Sequence, residues 1–398
     1  MITTANRIAQ VEEYYFSKKL AEVRTLDTPE LPVINLGIGS PDMPPHPAVI
    51  AALNNSAQMS TSHGYQSYKG IPTLRKNIAH FYHKTYGVEL NHDTEILPLM
   101  GSKEGIMHIM MAFLNEGDEV LIPDPGYPTY SSVAKLVGAQ VQCYDLREEH
   151  NWSINIDELQ KCDLSRTKMM VINYPHMPTG KIASEAELES IVQFAKAHNI
   201  LLINDNPYSL ILNESPFSIL SIDGAKDIAI ELNSLSKSHN MAGWRIGWAA
   251  AKQEFIDAIL KVKSNMDSGM FLGLQEAAAV ALQLDDTWFQ PLNKIYAQRK
   301  ELAYQILDVL QCTYSKEQSG LFVWARIPER IPDVAQWIDE ILYATHVFIT
   351  PGFIFGKNGE GFIRISLCAN EEKLNEALQR IKQYTYQQIH STPKELSI

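Results

Sequence analysis

The sequence contains little cysteine and no long apolar run. Its four cysteines are scattered without a Cys-x-x-Cys pair or a nearby histidine cluster, at Cys143, Cys162, Cys312 and Cys368. This spacing is typical of neither a disulfide framework nor the common zinc sites, so we expect reduced thiols and no metal. No stretch reaches the roughly 18 apolar residues that span a bilayer, and the first residues lack a secretory signal pattern. We therefore expect a cytoplasmic protein with no membrane partner.

Excess positive charge is also missing. The 398 residues include 34 Lys and Arg against 46 Asp and Glu, which gives a net charge of −12, and the two signs are interspersed. Such a chain is a poor partner for nucleic acid. Its 45% hydrophobic content suffices for a large core, and its length exceeds that of one ordinary domain. Composition therefore predicts a two-domain protein in which any anion site is local.

Polar or reactive residues follow each of five apolar β-like runs, at 94–100, 119–122, 168–172, 200–203 and 227–232. Amphipathic segments fill the gaps, and one helix begins near Ser184, where Ser184 and Glu187 form a capping box. This alternation predicts an α/β fold with a mostly parallel sheet flanked by helices. Ligands bind outside the carboxyl ends of such strands, so the residues after the runs should converge on one crevice.

The pattern changes from about Thr287 onward. A long charged helix is followed by three segments that alternate like antiparallel strands, at 320–325, 347–350 and 361–366. They predict a smaller α+β domain over 287–398, after a large domain over 46–286. Residues 1–45 carry little strand pattern beyond 33–36, and we expect an arm that packs on the small domain or on a neighbouring chain.

Lys237 is the strongest candidate for catalysis. Two small hydroxyls precede it and an arginine follows it, namely Ser234, Ser236 and Arg245. Hydroxyls and a guanidinium suit a phosphate, and a lysine amine that attacks a carbonyl works best when a nearby cation lowers its pKa. The pattern indicates a Schiff-base lysine that holds a phosphorylated aldehyde. Taken alone, it fits a surface loop with one lysine equally well.

A second anion site is predicted at the start of a helix over 106–114. Its first turn lies against Ser102 and Lys103, where free amide groups and the helix dipole favour a negative charge. Both anion-binding segments follow strand-like runs, so they should meet in the same crevice.

Motifs along nearly the whole chain resemble those of class I/II aminotransferases, fold type I enzymes with the aspartate aminotransferase fold. They include LGIGSPD at 36–42, YQSYKG at 65–70, TPG at 350–352, and Arg364. GSKEG at 101–105 and DPGYP at 124–128 are most similar to the branch of LL-diaminopimelate and related aminotransferases. The resemblance implies pyridoxal 5′-phosphate as cofactor, a seven-stranded sheet in the large domain and a homodimer.

The resemblance also implies roles around the cofactor ring. Lys237 would form the Schiff base and carry the proton between the substrate Cα and the cofactor. Asp205 would pair with the pyridine nitrogen, and Tyr208 would hydrogen-bond the ring oxygen. Tyr127 would stack on the ring face. Without the resemblance, Asp205 is a turn-capping carboxylate and the tyrosines are ordinary aromatics of the core.

The phosphate ligands that the resemblance implies come from several segments and a second subunit. They are the amides of Ser102 and Lys103, the hydroxyls of Ser234 and Ser236, the guanidinium of Arg245, and Tyr65 of a neighbouring subunit. Without the resemblance, a lone tyrosine in a Gly/Ser-rich loop is a surface residue.

Arg364 would bind the α-carboxylate that all amino acids share, with Gly39 allowing the backbone to approach. Without the resemblance, Arg364 fits a structural ion pair equally well. No arginine occurs between Arg245 and Arg299, the segment where dicarboxylate-specific members carry a second one. Aspartate and glutamate are therefore disfavoured donors, while LL-diaminopimelate stays open. Residues expected near the pocket favour a neutral, bulky or aromatic side chain: Tyr14, Tyr15, Phe16, Met270, Phe271 and Leu272.

Met177 departs from the family pattern, since Met-Pro-Thr-Gly at 177–180 replaces the usual Asn-Pro-Thr-Gly. A thioether cannot donate the hydrogen bond that the asparagine amide gives to the ring oxygen. We therefore expect the Lys237 Schiff base to hold its proton more tightly than in a Met177→Asn variant.

Three functions are compatible with these residues. The first is an aminotransferase acting between an amino acid and a 2-oxo acid, the expected outcome when Lys237 controls reprotonation. The second is a lyase on the same fold, of the β C–S lyase or aminocyclopropane-carboxylate synthase kind. The third is a non-catalytic effector-binding module, which is disfavoured because the sequence carries no basic helix-turn-helix region.

Overall fold

The computed structural model describes residues 2–9, 11 and 15–391. Its strands are β1 (Ile34–Asn35), β2 (Ile96–Leu99), β3 (Glu119–Asp124), β4 (Gln140–Asp145), β5 (Thr167–Ile172), β6 (Leu201–Asp205), β7 (Ala229–Ser234), β8 (Gly247–Ala251), β9 (Phe322–Arg326), β10 (Val347–Phe348), β11 (Thr350–Pro351) and β12 (Phe362–Ser366). Its α-helices are α1 (Asn6–Ala9), α2 (Tyr15–Leu26), α3 (Pro47–Gln58), α4 (Pro72–Tyr86), α5 (Ser102–Phe113), α6 (Thr129–Leu136), α7 (Ile156–Leu159), α8 (Glu185–Ala197), α9 (Gln253–Lys263), α10 (Leu272–Ala281), α11 (Asp286–Val309), α12 (Val334–Thr345) and α13 (Glu371–Ser391). None of these helices combines the length and apolar content needed to cross a bilayer.

The main sheet has seven strands in the order β2-β8-β7-β6-β5-β3-β4. Strands β7 to β4 pair in parallel, whereas β8 runs antiparallel to both β7 and β2. The predicted α/β class with a mostly parallel sheet is confirmed. The sequence analysis missed β4 and β8, because β4 is partly exposed and β8 is a short, alanine-rich segment without branched residues.

Capping residues set the helix starts. Helix α8 begins at Glu185 behind a capping box formed by Ser184 and Glu187, as predicted. Helix α5 begins at Ser102, earlier than the predicted residue 106, with Gly101 as its N-cap at a φ of 92°. The earlier start places Ser102 and Lys103 inside the first turn, where backbone N–H groups have no partner within the helix.

Two small sheets lie beside the main one. Strands β11, β12 and β9 form an antiparallel sheet in that order, as the alternation predicted. The prediction of one antiparallel strand over 347–350 is wrong, because this segment divides into β10 and β11. Strand β10 instead pairs in parallel with β1 near the N-terminus. The division into 1–45, 46–286 and 287–398 stays a prediction.

The carboxyl ends of the parallel strands lie at the edge of a large cavity. Asp205 ends β6, Ser234 ends β7 and Asn173 follows β5, and all three line it. The cavity measures about 970 Å³, and residues of α2 and β12 form its other walls. This arrangement matches the crevice expected at the carboxyl edge of a parallel sheet.

Candidate active site

The cavity brings together nearly all the residues that the sequence analysis selected. Those that line it are Gly39, Ser102, Lys103, Tyr127, Asp205, Tyr208, Ser234, Ser236, Lys237, Arg245 and Arg364. Tyr65 is the exception, because it is 92% exposed and does not line the cavity of the single chain.

Lys237 presents a buried amine to the cavity. Its Nζ donates a hydrogen bond to the carbonyl oxygen of Gly39. Burial lowers the pKa of Lys237, and the nearby cations Arg364 and Arg245 lower it further. Desolvation is therefore a larger cause of the lowered pKa than Arg245, the cation expected from the sequence. A lowered pKa increases the share of neutral amine available for attack on a carbonyl.

Asp205 is a buried carboxylate with one oxygen lacking a partner. Its Oδ2 accepts a hydrogen bond of 2.9 Å from the Tyr130 hydroxyl, and its Oδ1 has no hydrogen-bond partner among the described residues. Burial raises the pKa of Asp205 to about 6, although Tyr130 and Lys237 oppose that shift. A buried carboxylate oxygen without a partner can accept a hydrogen bond from a ligand that carries a donor into the cavity. The sequence analysis missed Tyr130, which no local pattern connects with Asp205.

One end of the cavity is suited to an anion. The first turn of α5 begins there at Ser102 without a side-chain cap, and the backbone N–H groups at a helix start are the donors that an anion needs. The Ser234 hydroxyl donates 2.8 Å to Ser236 Oγ and is buried beside it. Arg245 lies against Gly101, where an added Cβ would sit 2.2 Å from the guanidinium Nη2. Gly101 therefore lets the arginine approach the helix start.

Arg364 is a buried cation that no carboxylate of the described residues contacts. Its guanidinium carbon lies 3.9 Å from the ring centroid of Phe322 and 4.7 Å from that of Phe355. Nη2 donates 2.6 Å to the Gly37 carbonyl, whereas Nε has no hydrogen-bond partner and no described acid forms a salt bridge with Arg364. Burial lowers the pKa of Arg364 to about 10. Such a group favours an anionic ligand, since unpaired buried charge is costly.

Met177 and Gly39 lie beside Arg364. The Met177 Sδ is 3.3 Å from Arg364 Nη1, so the thioether occupies a position next to the guanidinium. A Cβ on Gly39 would lie 2.3 Å from Phe322 Cζ. Gly39 is therefore required for packing against Phe322, in addition to the backbone approach that the sequence analysis expected.

Two tyrosines flank the remaining cavity wall. Tyr208 is buried, which raises its pKa, and its ring makes an edge contact with Phe322 at 5.9 Å. The Tyr127 ring packs edge-on against Tyr130 at 5.6 Å. Both expose part of their surface to the cavity, so either can contact a bound ring.

The cavity is mostly apolar away from the anion end. Its apolar side chains include Tyr15, Phe16, Leu20, Ile38, Met177, Phe322, Phe353, Ile354 and Phe355. Tyr15 and Phe16 were expected there, whereas Met270, Phe271 and Leu272 do not line the cavity of the single chain. The Phe271 ring instead stacks on His63 at 5.9 Å. Tyr14 lies outside the described residues.

A cluster of Glu104, His108 and Asp267 has metal-ligand chemistry, with one ligand atom of each residue within 4.8 Å of the others. Lys263 Nζ lies 2.8 Å from Asp267 Oδ2, so an ammonium already balances that carboxylate. The cluster therefore fits an internal ion network better than a metal site.

Comparison with known proteins identifies the family. The family model described as aminotransferase class I and II matches residues 32–381. The chain belongs to this aminotransferase family. It is a pyridoxal 5′-phosphate-dependent aminotransferase of fold type I.

Aminotransferases of several kinds are similar to this chain. An LL-diaminopimelate aminotransferase from Oleidesulfovibrio alaskensis is 39% identical over 387 residues, covering 95% of this chain and 98% of the relative. The solved structure of apo-BacF from Bacillus subtilis has a TM-score of 0.92 and 34% identity, with coverage of 97% and 99%. An aromatic aminotransferase from Pyrococcus horikoshii has a TM-score of 0.85 and 30% identity, covering 93% of this chain and 99% of that one.

The cavity of this aminotransferase fits its cofactor. The unpartnered Oδ1 of Asp205 matches the ring nitrogen, which carries a proton. The uncapped start of α5, the hydroxyls of Ser234 and Ser236, and Arg245 form an anion site of the kind a phosphate needs.

Proposed function

We propose that Lys237 is the residue that bonds the cofactor and moves the proton during amino transfer. The observation that carries this proposal is a buried amine and a buried carboxylate, Lys237 and Asp205, both facing one cavity. When bound, pyridoxal 5′-phosphate supplies an electron-withdrawing ring that accepts the electron pair left at the substrate Cα. Once the substrate amine had displaced Lys237 from the cofactor, the freed Lys237 amine would take the proton from Cα and would return it at the cofactor carbon, as base and acid in turn.

Asp205 acts by keeping the ring nitrogen protonated. The Tyr130 hydroxyl donates a hydrogen bond of 2.9 Å to Oδ2 of the Asp205 carboxylate, which leaves Oδ1 to accept from the N–H of the ring. Tyr208 contributes a hydroxyl for the ring oxygen, and Tyr127 a ring for stacking. The start of α5 with Ser102 and Lys103, the hydroxyls of Ser234 and Ser236, and Arg245 hold the phosphate.

Arg364 binds the substrate α-carboxylate in this proposal. The rings of Phe322 and Phe355 and the carbonyl of Gly37 fix its guanidinium, so little conformational freedom is lost when the carboxylate binds. Because no acid among the described residues pairs with Arg364, the substrate carboxylate would relieve the cost of its burial.

Loading with cofactor and reduction with borohydride tests the assignment of Lys237. We expect peptide mapping to find the cofactor on the peptide that contains Lys237, and a Lys237→Ala variant to bind cofactor without becoming labelled. Label on another lysine, or purified protein that stays colourless with added cofactor, would refute the proposal.

The amino donor is proposed to have a long side chain with an apolar middle section. The apolar cavity walls support this class, and both the LL-diaminopimelate and the aromatic aminotransferases among the similar proteins are compatible with it. Candidate donors are LL-diaminopimelate and neutral, bulky or aromatic amino acids, with a 2-oxo acid as acceptor. A panel of amino acids scored by the change in cofactor absorbance ranks them. Aspartate as the preferred donor would contradict the proposal.

We also propose a cytoplasmic homodimer in which Tyr65 contacts the phosphate of the neighbouring subunit. The exposure of Tyr65 in the single chain supports its contact with a second subunit. The four free cysteines support a reducing compartment such as the cytoplasm. Mixed dimers of a Tyr65→Phe chain and a Lys237→Ala chain provide the test. If sites are shared, one site of the mixed dimer carries both defects and the other carries neither. Activity should therefore appear on mixing, whereas self-contained sites would leave it at the level of Tyr65→Phe alone.

A further inference from the structure

Met177 places a thioether sulfur in the cavity wall, beside the guanidinium of Arg364. Its Sδ lies 3.3 Å from Arg364 Nη1, and the residue lines the cavity. The Asn173 side-chain oxygen accepts a hydrogen bond of 2.8 Å from the Met177 backbone N–H, which holds the residue at this position. Among the described residues that line the cavity, Met177 is the one methionine. An oxidisable sulfur therefore lies next to the cation that the proposed function assigns to the substrate α-carboxylate.

The sulfur of Met177 is shielded from bulk solvent but borders the cavity. Only 6% of the residue is exposed, compared with 60% of Met266 on the surface. In the proposed function an amino acid reaches Arg364, so the path to the adjacent sulfur admits hydrogen peroxide, which is a much smaller molecule. Met169 and Met170 differ, because they are fully buried in strand β5 and do not line the cavity.

Arg364 has donors for an oxygen placed on that sulfur. Its Nη2 donates 2.6 Å to the Gly37 carbonyl, whereas its Nε has no hydrogen-bond partner among the described residues. A thioether is only a weak acceptor, so the contact between Nη1 and Met177 is a weak one. Oxidation to the sulfoxide makes the side chain polar and adds an oxygen that accepts hydrogen bonds well. The guanidinium would therefore bind the oxidised side chain more strongly than the thioether.

We propose that Met177 is a modification site, at which a peroxide converts the thioether to a sulfoxide whose oxygen accepts a hydrogen bond from Arg364. With hydrogen peroxide the O–O bond breaks, one oxygen forms a bond to sulfur, and the other leaves as water. The sulfur is oxidised and the peroxide is reduced, each by two electrons. The inference rests on the proposed function, in which Arg364 binds the α-carboxylate. The sulfoxide oxygen competes with that carboxylate for the guanidinium.

Oxidation of Met177 weakens the binding of every amino acid substrate, because all of them carry the α-carboxylate. Proton transfer by Lys237 does not involve the sulfur, so KM changes more than kcat. Methionine sulfoxide reductases return the thioether, which makes the effect reversible. Asparagine, the usual residue of the family at this position, has no sulfur to oxidise. The sensitivity to peroxide is therefore a property of this chain, with Met at 177.

The test treats the cofactor-loaded protein with hydrogen peroxide and follows its methionines by peptide mass mapping. We expect the peptide that contains Met177 to gain one oxygen. We also expect KM for the amino donor to rise about fivefold or more, and kcat to change less than about twofold. Methionine sulfoxide reductases acting on both sulfoxide epimers should restore KM, whereas dithiothreitol alone, which reverses mild cysteine oxidation, should not. An excess of a 2-oxo acid should slow the oxidation of Met177 but not that of Met266, since its carboxylate occupies Arg364.

Three variants separate Met177 from the other oxidisable residues. Met177→Leu has no sulfur at this position, so peroxide should leave its KM at the value that the same variant has before treatment. Met266→Leu is the matched control, because it removes an exposed methionine that does not line the cavity, and it should stay as sensitive as the wild type. Met177→Gln places an amide oxygen where the sulfoxide oxygen would be, so it should raise KM without any oxidant.

Each of three results would overturn this inference. Oxidation of the exposed methionines while Met177 stays intact would show that peroxide does not reach the sulfur. A sulfoxide at Met177 with an unchanged KM would show that its oxygen does not compete with the carboxylate. An equal rise in KM in peroxide-treated Met177→Leu would assign the effect to another residue. Failure of the proposed function is distinct, because then no amino acid changes the cofactor absorbance of the untreated wild type.

Discussion

The Tyr130 hydroxyl donates a hydrogen bond of 2.9 Å to the carboxylate of Asp205, and both side chains are buried. Tyr130 lies in α6 and Asp205 at the end of β6, so two separate elements meet at this bond. The bond stabilises the charged form of a carboxylate that burial otherwise drives towards protonation. Two predictions concern this pair.

Tyr130→Phe should weaken cofactor binding about tenfold, because a buried carboxylate loses its one side-chain donor. It should also raise the pKa of Asp205 above its present value of about 6. The pH below which cofactor affinity declines should therefore move upward. Absorbance titrations with cofactor from pH 5 to 8 measure both effects.

Tyr144→Phe is the control for this substitution. Its buried hydroxyl donates 2.8 Å to the Val171 carbonyl, away from the cavity lining. If the cofactor titrations of the two variants coincide, the hydrogen bond has no influence on Asp205.

Asp205→Asn should change how the stability of the cofactor-free protein depends on pH. Because folding raises the pKa of Asp205 from 3.8 to about 6, the folded state binds more protons than the unfolded state between these values. The contribution of Asp205 to stability is therefore greatest below pH 4 and decreases as the pH rises through 6. The total change corresponds to roughly 2–3 kcal/mol.

Urea unfolding of the cofactor-free wild type and Asp205→Asn proteins at several pH values tests whether the contribution of Asp205 decreases as the pH rises. The free energy of unfolding of the variant minus that of the wild type should increase from pH 4 to pH 7. A constant or decreasing difference would contradict the raised pKa. Amino transfer by the variant should be lost at every pH, since an amide cannot hold the ring nitrogen protonated.

Gly39→Ala should lower both stability and substrate affinity. The added Cβ would lie 2.3 Å from Phe322 Cζ and would displace the ring that packs on Arg364. We expect a loss of about 1–3 kcal/mol in the free energy of unfolding and a higher KM for amino acids. Gly64→Ala is the control, because no atom lies within 4 Å of a Cβ there.

Adding Phe322→Leu to Gly39→Ala should recover part of the lost stability, since it removes the clashing ring atoms. The prediction is wrong if Gly39→Ala and Gly64→Ala have the same free energy of unfolding. It is also wrong if the double variant loses more free energy of unfolding than the two single variants lose together.

Met177→Asn should lower the pH at which the Lys237 Schiff base of the cofactor-loaded protein loses its proton, as followed by absorbance in a pH titration. The asparagine amide can donate to the ring oxygen, which the thioether cannot, so the midpoint pH should be lower than in the wild type. Met177→Leu, which adds no donor, should leave the midpoint near that of the wild type. Equal midpoints in all three proteins would show that residue 177 does not influence the pKa of the Schiff base.

The residues at the strand ends were predictable because each follows its own apolar run. Placing Asp205 at the end of β6, Ser234 at the end of β7 and Lys237 just after it needed only the rule that ligands bind at the carboxyl edge of parallel strands. The start of α5 was placed too late, since the positive φ of Gly101 moves the cap towards the N-terminus. Strand β8 was missed because its small residues carry no local strand pattern and its pairing with β7 and β2 is tertiary.

By itself the sequence determined the α/β class, the alternation of strands and helices that makes the main sheet mostly parallel, and the hydroxyls and arginine around Lys237 that suit a phosphate. These properties depend on residues that are near one another in the chain. Only the tertiary structure decided that Tyr130 donates a hydrogen bond to Asp205 and that the rings of Phe322 and Phe355 pack against the Arg364 guanidinium. It also decided that Arg24 lines the cavity. Such contacts join residues from distant parts of the chain, and their distances depend on how separate elements pack, which no local periodicity records.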